Sequence, residues 1–170
     1  MRRVRYSVAS SLDGYIAGPQ GEDDWIVVDP SIDFGALFGQ FDTALMGRRT
    51  FARMKERGAS LPGMETYVFS GTLRKADHPE VTIVAEGAAH TVASLRTATG
   101  KDIWLFGGGS LCSSLLTHGL VDTVEVALIP VLLGRGVPLL PHSLEPVKLR
   151  LSAHSVLEKT GTLLLEYAVV

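Results

Sequence analysis

An apolar run that ends directly in three glycines constrains this chain more than any other feature of its sequence. Ile103-Trp104-Leu105-Phe106 is followed at once by Gly107-Gly108-Gly109, and the apolar residues after Ser110 then recur at helical spacing. An uninterrupted apolar run is typical of a parallel strand whose two faces are both covered by helices. The pattern therefore predicts a strand, a glycine turn and a helix, which is the repeating unit of an α/β sheet.

A second junction of the same kind lies earlier in the chain. The short apolar strand 43–46 ends in Gly47, and Arg48, Arg49 and Thr50 open a helix that stops at Gly58. The first N–H groups of a helix are unpaired and lie at its positive end, so each junction is a candidate anion site. Arginines in a first turn oppose the helix dipole by about 0.3–1 kcal/mol each, a conflict that a bound phosphate would remove.

Each feature also has an ordinary structural interpretation. One arginine can be solvated while the other caps a neighbouring loop, and the triple glycine can serve only the close packing of a helix on a strand. The glycines lack the Gly-x-Gly-x-x-Gly spacing of a Rossmann turn and the Lys-Ser/Thr of a P-loop. The chain has no Gly-x-Ser-x-Gly elbow either, which argues against a hydrolase.

Strands and helices alternate in the first two thirds of the chain, and strands dominate the last third. The predicted strands are 3–9, 43–46, 66–70, 81–85, 101–106, 123–129, 147–157 and 163–170. Helices are predicted after an N-cap at Ser31, after Gly47, over 88–98 and after Ser110, with a long loop over 10–24. We therefore expect one α/β domain over residues 1–170, with a central mixed sheet, flanking helices and an antiparallel C-terminal hairpin.

Composition and charge exclude several classes of function. Hydrophobic residues make up 46% of the 170 residues and charged residues 20%, which is typical of a globular domain. A net charge of −2 offers no basic surface for nucleic acid, and no apolar segment has the length of a membrane span. The single cysteine, Cys112, excludes an internal disulfide and favours the cytoplasm. No metal site is expected, because the histidines neither pair nor cluster with the cysteine: His78, His90, His118, His142 and His154.

Five motifs follow one another along the chain. They are Ser-Leu-Asp-Gly-Tyr-Ile-Ala at 11–17, Leu-Met-Gly-Arg-Arg-Thr at 45–50, Val-Phe-Ser at 68–70, Ile-Trp-Leu-Phe-Gly-Gly-Gly-Ser-Leu at 103–111 and Ile-Pro-Val-Leu-Leu-Gly at 129–134. In this order they resemble the dihydrofolate reductase-like superfamily, and most closely the C-terminal reductase domain of bacterial riboflavin-biosynthesis deaminase-reductases. The resemblance covers the chain from end to end and implies a three-layer dihydrofolate reductase-like fold.

The resemblance also implies a binding site for NADPH. Residues that would line the nicotinamide are Ala9, Ile16 and Ala17. Residues that would meet phosphate groups are Gly47, Arg48, Arg49, Thr50, Gly107, Gly108, Gly109, Ser110 and Leu111. Ser70 would lie near the adenosine 2′-phosphate. Gly71 stands where relatives often carry an arginine, so NADH is not excluded, although Arg48, Arg49 or Arg74 could supply the charge.

The activity that the resemblance implies is hydride transfer from the nicotinamide to a small conjugated C=N or C=O substrate, such as a pteridine- or pyrimidine-like heterocycle. Trp25 and Asp33 would contact that substrate, although Trp25 can equally belong to the core and Asp33 can serve only a helix N-terminus. No deaminase domain precedes this segment in the sequence, so we expect a substrate other than the riboflavin precursor. The alternative is a nucleotide-binding protein of the same fold that has lost turnover.

Two further expectations concern motion and assembly. The loop 10–24 would close over the nicotinamide as a lid, and Asp13 would be its catalytic residue. Asp13 could hold the loop by accepting backbone N–H groups, or could pass a proton through water to the heterocycle; Asp13-Gly14 is also an ordinary turn pair. The C-terminal hairpin would pair with a second copy of the chain in a homodimer, which is the family's habit.

Overall fold

One eight-stranded sheet organises the protein. The structure, a computed structural model, describes residues 1–141 and 145–170, so His142 lies outside the described residues. The strands are β1 (Val4–Ser11), β2 (Tyr15–Ala17), β3 (Phe41–Gly47), β4 (Glu65–Phe69), β5 (Thr82–Val84), β6 (Asp102–Gly107), β7 (Thr123–Ile129), β8 (Val137–Pro138), β9 (Leu149–Leu157) and β10 (Thr162–Val169). The helices are α1 (Phe34–Phe38), α2 (Arg48–Glu56), α3 (Ala88–Thr97) and α4 (Gly109–Thr117), with one 3₁₀ turn at Lys75–Asp77.

The sheet is mixed, as the sequence predicts. Its strand order is β5-β4-β3-β6-β1-β7-β10-β9. The first six strands in this order are parallel, whereas β10 is antiparallel to β7 and β9 is antiparallel to β10. The chain moves outward through β3, β4 and β5 and then returns to β6, so the strand order reverses between β3 and β6. Open α/β sheets bind ligands at the carboxyl ends of their strands, at such a reversal.

Helices cover the two faces of the sheet unequally, and three layers result. On one face, which we call the front, α2 packs through Phe51 against β3 and β4. On the other face, the back, α3 and α4 close the larger core cluster through residues that include Val92 and Leu115. The short α1 also lies on the front, where Phe38 stacks on Trp104 with the ring centroids 5.3 Å apart. None of the helices in the described part of the chain is long and apolar enough to cross a membrane.

The strand β9 is an exposed edge. Its residues 149–156 are all exposed, and β10 pairs with only one of its sides. Cross-strand pairing places four apolar side chains together on the back face, each between 37% and 56% exposed: Leu149, Leu151, Val156 and Leu163. We call these four residues the hairpin strip. An apolar strip beside an open strand edge is a surface that proteins usually cover.

The predicted elements are present with their ends shifted by a residue or two, and two predictions need correction. The N-cap of α1 is not Ser31 but Asp33, whose carboxylate accepts the Ala36 N–H at 2.9 Å. Ser31 instead donates its backbone N–H and its hydroxyl to Asp29. The predicted loop 10–24 contains the strand β2, which pairs with β8 in a small ribbon. Strands this short show too few residues for an alternation of apolar and polar side chains to be recognised in the sequence. They form because they pair with each other across a long separation in the chain.

The packing of α4 against this ribbon generates a stability prediction. A Cβ on Gly109 would lie 2.7 Å from the Leu139 carbonyl oxygen and 3.2 Å from that of Pro138, so Gly109→Ala should cost about 1–3 kcal/mol of unfolding free energy. Gly47→Ala is the matched control, because a Cβ there meets no described atom within 4 Å and should change stability by less than about 1 kcal/mol. Urea unfolding measures both. Equal stability of the two variants would contradict this account of the contact.

Candidate functional site

The two glycine junctions lie side by side at the carboxyl edge of the sheet. The strands β3 and β6 are parallel neighbours, and their register places Met46 opposite Gly107. Thr50, in the first turn of α2, is so close that a Cβ on Gly107 would lie 3.3 Å from its hydroxyl oxygen. The first turns of α2 and α4 therefore converge on one crevice, although the two helices pack on opposite faces of the sheet.

Two glycines of this crevice have open space where a side chain would lie. Gly47 and Gly108 have φ angles of −81° and −94°, which any residue adopts. Among the described residues, a Cβ on Gly47 would meet nothing within 4 Å, and one on Gly108 would make only an ordinary contact, 3.7 Å from Thr50 Oγ1. The missing side chains thus leave an open cradle in front of two helix N-termini. Such a cradle suits a phosphate group, which approaches the backbone N–H groups closely.

The charge at this crevice comes from the first turn of α2. Arg48 and Arg49 are exposed, and neither guanidinium group forms a hydrogen bond or ion pair with any residue that the structure describes. The arginines at the other end of this helix behave differently, because Arg53 pairs with Glu56 and Arg57 pairs with Asp23. Neither Arg48 nor Arg49 therefore serves as the cap of a neighbouring described loop, and both are available to an anion in the cradle.

Ser70 lies on the same edge, but its hydroxyl already has structural partners. It follows Phe69, which pairs with Gly47 in the register of β4 and β3. Its Oγ accepts the N–H groups of Thr72 at 3.2 Å and Leu73 at 3.1 Å, so it shapes the turn after β4. Arg74, a second source of charge considered from the sequence, pairs with Asp77 at 3.2 Å.

The three residues expected around the nicotinamide lie near the carboxyl end of β1. Ile16 and Ala17 belong to the β2–β8 ribbon, where Ala17 pairs with Val137. This ribbon meets the crevice, because Gly109 at the start of α4 packs against its carbonyl groups. Ala9 lies on β1 itself and lines a cavity on the front face. The ribbon thus lies beside the crevice, whereas the cavity lies on the front face of β1.

Asp13 ties two loops together. Its carboxylate accepts the Ser11 hydroxyl at 2.6 Å, the Gly134 N–H at 2.7 Å and the Leu133 N–H at 3.1 Å. These hydrogen bonds, the one from Ser11 foremost, lower the pKa of Asp13 and keep the carboxylate ionised. The carboxylate also borders a cavity of about 440 Å³ beside the ribbon. The geometry supports the loop-holding role of Asp13, and proton transfer through Asp13 stays a prediction.

Ala9 lines the larger of these two cavities, which has a volume of about 520 Å³. We call it the front cavity. Its floor is formed by β1 and β7, one wall by α1 and Trp104, a second wall by the segment 26–32, and the far side by β10 and β9. Its volume falls in the range of small-molecule sites, which are mostly apolar with a few placed polar groups. Its floor strand β1 is the neighbour of β6, the strand that ends in the crevice.

A buried ion pair lies in the floor of the front cavity. Arg5 is 7% exposed and donates to both carboxylate oxygens of Glu125, at 2.6 and 2.9 Å. Its guanidinium also lies over the Phe41 ring, 4.7 Å from the centroid. Thr123 donates its hydroxyl to the same carboxylate at 2.8 Å. Glu125 is therefore held in one orientation by three donors, which fixes the floor of the cavity.

The two residues expected to contact the substrate are each engaged in a local hydrogen bond. Trp25 donates its indole N–H to the Glu22 carbonyl at 3.1 Å, and Asp33 caps α1; neither lines the front cavity. The tryptophan that does line it is Trp104. The sequence pattern predicted that Trp104 lies in a buried strand, and it did not indicate that this side chain lines a cavity. Its one signal was its place among apolar residues in a strand that leads directly into the glycine crevice.

The wall of the front cavity over 26–32 is held by a buried carboxylate. Asp29 is 1% exposed and accepts the Ser31 N–H at 2.9 Å, the Ser31 hydroxyl at 2.5 Å and the Thr160 hydroxyl at 2.9 Å. Thr160 belongs to the turn between β9 and β10. Asp29 therefore joins the segment before α1 to the C-terminal hairpin, on opposite sides of the cavity. These hydrogen bonds, those from Ser31 first, lower the pKa of Asp29.

The fold is that of the reductase domains of the dihydrofolate reductase-like class, and sequence comparison agrees. The family model of the RibD C-terminal domain matches residues 2–163, so the chain belongs to this family. It is 35% identical over 151 residues to the Bacillus subtilis (strain 168) protein YyaP, named as uncharacterized, covering 81% of this chain and 80% of that protein. Membership of this family supports an oxidoreductase-type enzyme.

Two solved structures show the same fold. A putative riboflavin biosynthesis protein from Shewanella sp. PV-4 superposes with a TM-score of 0.84 at 25% identity, over 100% of this chain and 99% of that one. A Thermotoga maritima protein, named as a diaminohydroxyphosphoribosylaminopyrimidine deaminase/5-amino-6-(5-phosphoribosylamino)uracil reductase, superposes with a TM-score of 0.70 at 18% identity. That match covers 99% of this chain and 57% of the Thermotoga chain.

Asp29 generates a prediction about stability and pH. A carboxyl whose pKa is lowered in the folded state binds fewer protons there than in the unfolded chain, so its contribution to stability is present at neutral pH and is lost as the pH falls. The free energy of unfolding of the wild type should therefore fall towards that of Asp29→Asn between about pH 5 and pH 2. Urea unfolding at several pH values measures this difference.

Asp24→Asn is the matched control, because it removes one carboxylate from an exposed site. The difference between wild type and Asp24→Asn should not follow the same pH course. A constant difference between wild type and Asp29→Asn across that range would contradict the assigned role of the Asp29 carboxylate.

Proposed function

We propose that this protein is an NADPH-dependent reductase that transfers hydride to a small conjugated C=N or C=O group in a heterocyclic substrate. The observation that carries the proposal is the open cradle at Gly47 and Gly108, where two helix N-termini converge beside Arg48 and Arg49. Family membership supports the reductase chemistry. NADPH, when bound, supplies the hydride, and the residues of the chain provide binding, orientation and exclusion of water.

In this proposal the crevice binds the phosphate groups of the cofactor. Backbone N–H groups in the first turns of α2 and α4, with Thr50, Ser110 and Leu111 beside them, face the diphosphate. Arg48 and Arg49 neutralise its charge through forked hydrogen bonds. Arg48 or Arg49 also supplies the cation for the 2′-phosphate, because the Ser70 hydroxyl is engaged in its turn and Arg74 pairs with Asp77. This arrangement favours NADPH over NADH.

The reacting groups meet near the carboxyl end of β1, between the ribbon and the front cavity. The nicotinamide lies against Ala9, Ile16 and Ala17, and the substrate ring occupies the front cavity. Asp13 acts on the reaction through the loop that it holds, because its three hydrogen bonds fix the segment before the ribbon. Excluding water from this junction strengthens the electrostatic interactions that orient both rings.

Two copies of the chain associate through the C-terminal hairpin in this proposal. The hairpin strip is apolar and exposed, and it adjoins the open edge of β9. Pairing about a two-fold axis covers the strip on both copies at once, which removes an aggregation hazard. The hairpin also forms one side of the front cavity, so association stabilises the substrate site.

Titration of NADPH into single variants tests the crevice. Arg48→Ala and Arg49→Ala should each weaken binding by about 1.5–3 kcal/mol, or roughly 10- to 150-fold, because each removes a charge-assisted phosphate contact. The control is Arg150→Ala on the edge strand β9, which should bind NADPH as the wild type does. Unchanged affinity in both variants and in the double variant would contradict the assigned phosphate role.

Turnover of NADPH distinguishes an active reductase from a protein of the same fold that only binds the nucleotide. Oxidation of NADPH, followed at 340 nm across a panel of pteridine- and pyrimidine-like heterocycles, should identify at least one substrate. Binding of NADPH without oxidation across that panel would instead support a nucleotide-binding protein without turnover.

Light scattering tests the assembly. The wild type should have about twice the chain mass of 18.2 kDa at micromolar concentration, and Leu151→Lys should shift it to the monomer mass because a charge would enter the covered strip. Leu132→Lys, at a loop position that is 70% exposed, should leave the mass unchanged. A wild type of monomer mass would contradict the proposed dimer.

A further inference from the structure

The front cavity has an aromatic side and an acidic side. On the aromatic side, Phe34, Phe38 and Trp104 form a wall in which the Phe38 and Trp104 rings are stacked at an interplanar angle of 27°. On the acidic side, Glu125 of β7 and Glu166 of β10 lie directly opposite each other in the strand register. A flat ring bound against the aromatic wall would therefore have its polar edge near two carboxylates.

The two carboxylates are not equally neutralised. Arg5 lies on the neighbouring strand and donates two hydrogen bonds to the Glu125 carboxylate, so it neutralises that charge. Among the described residues, the Glu166 carboxylate is approached only by the Ser152 hydroxyl, at 3.4 Å. Glu166 is half-buried and pairs with no cation that the structure describes, so it leaves one uncompensated negative charge beside the cavity. No lysine or arginine is among the described residues that line the cavity.

We infer that the front cavity takes a planar heteroaromatic ring that carries exocyclic N–H donors and no phosphate group. This inference rests on the proposed reductase function and specifies its substrate class. Stacking on the partly exposed Phe38 ring, which itself stacks on the buried Trp104, holds the ligand ring, and N–H donors on the edge of that ring satisfy Glu166. A phosphate dianion on the same molecule would add negative charge beside uncompensated carboxylate charge, which opposes binding. The Thermotoga protein, by contrast, is named for a phosphoribosylated aminouracil.

Three probes that share one ring test this inference: 5,6-diaminouracil, 5-amino-6-(ribosylamino)uracil and 5-amino-6-(5-phosphoribosylamino)uracil. Binding is followed by quenching of Trp104 fluorescence in a Trp25→Phe protein, with NADP⁺ present because it cannot donate hydride. The two phosphate-free probes should quench Trp104 and bind at least about tenfold more tightly than the phosphorylated one. Tighter binding of the phosphorylated probe, or no quenching by any of the three, would overturn the inference.

A matched pair of variants tests the role assigned to Glu166. Glu166→Gln keeps the shape of the side chain and removes its charge, so discrimination against the phosphorylated probe should fall several-fold. Glu158→Gln, in the exposed turn after β9, should leave that discrimination unchanged. Equal discrimination in wild type and Glu166→Gln would overturn the inference.

Calorimetric titration of NADPH into the same proteins separates the two proposals. Normal NADPH affinity together with preference for the phosphorylated probe would overturn the substrate inference and leave the proposed reductase intact. Loss of NADPH binding in the wild type would overturn the reductase proposal, and the probe measurements would still decide the ligand class of the cavity.

Discussion

The parallel pairing of β3 with β6 underlies the candidate site. It places Met46 opposite Gly107, so two chain segments that are far apart in the sequence leave the sheet at the same point. The helices that follow them pack on opposite faces, and their first turns therefore open towards each other across the crevice. Unpaired N–H groups from two helices thus converge on one spot, which a single junction could not achieve.

The division of the front face into a covered and an uncovered half separates two candidate sites. Where α2 covers β3 and β4, the sheet edge carries the cradle proposed for phosphate. Where only the five-residue α1 and the segment before it lie over β1 and β7, the sheet leaves the front cavity open. Asp29 keeps that segment in place by bonding to the hairpin turn at Thr160. The shape of the front cavity thus depends on one buried carboxylate that contacts no proposed ligand.

Several residues of the proposed site could be identified from the sequence because their signal is local. Gly47, Arg48, Arg49 and the 107–109 glycines follow short apolar strands, and their spacing alone indicated helix N-termini. Trp25, Asp33 and Ser70 were less accessible, because each has a local structural partner that competes with a ligand. In the structure, Asp33 caps α1 and Ser70 shapes a turn, which are the roles that short polar side chains fill most readily.

The sequence by itself determined where the eight strands of the main sheet and the four helices lie along the chain, together with the glycine junctions and the antiparallel hairpin, because periodicity and turn chemistry act over a few residues. Only the tertiary structure decided that Trp104 rather than Trp25 lines the front cavity, that Glu125 faces Glu166, and that Asp29 bonds to Thr160. These contacts join segments that are far apart in the sequence. Their geometry depends on strand order and register, which no local pattern encodes, since each strand can satisfy its own alternation beside several different neighbours.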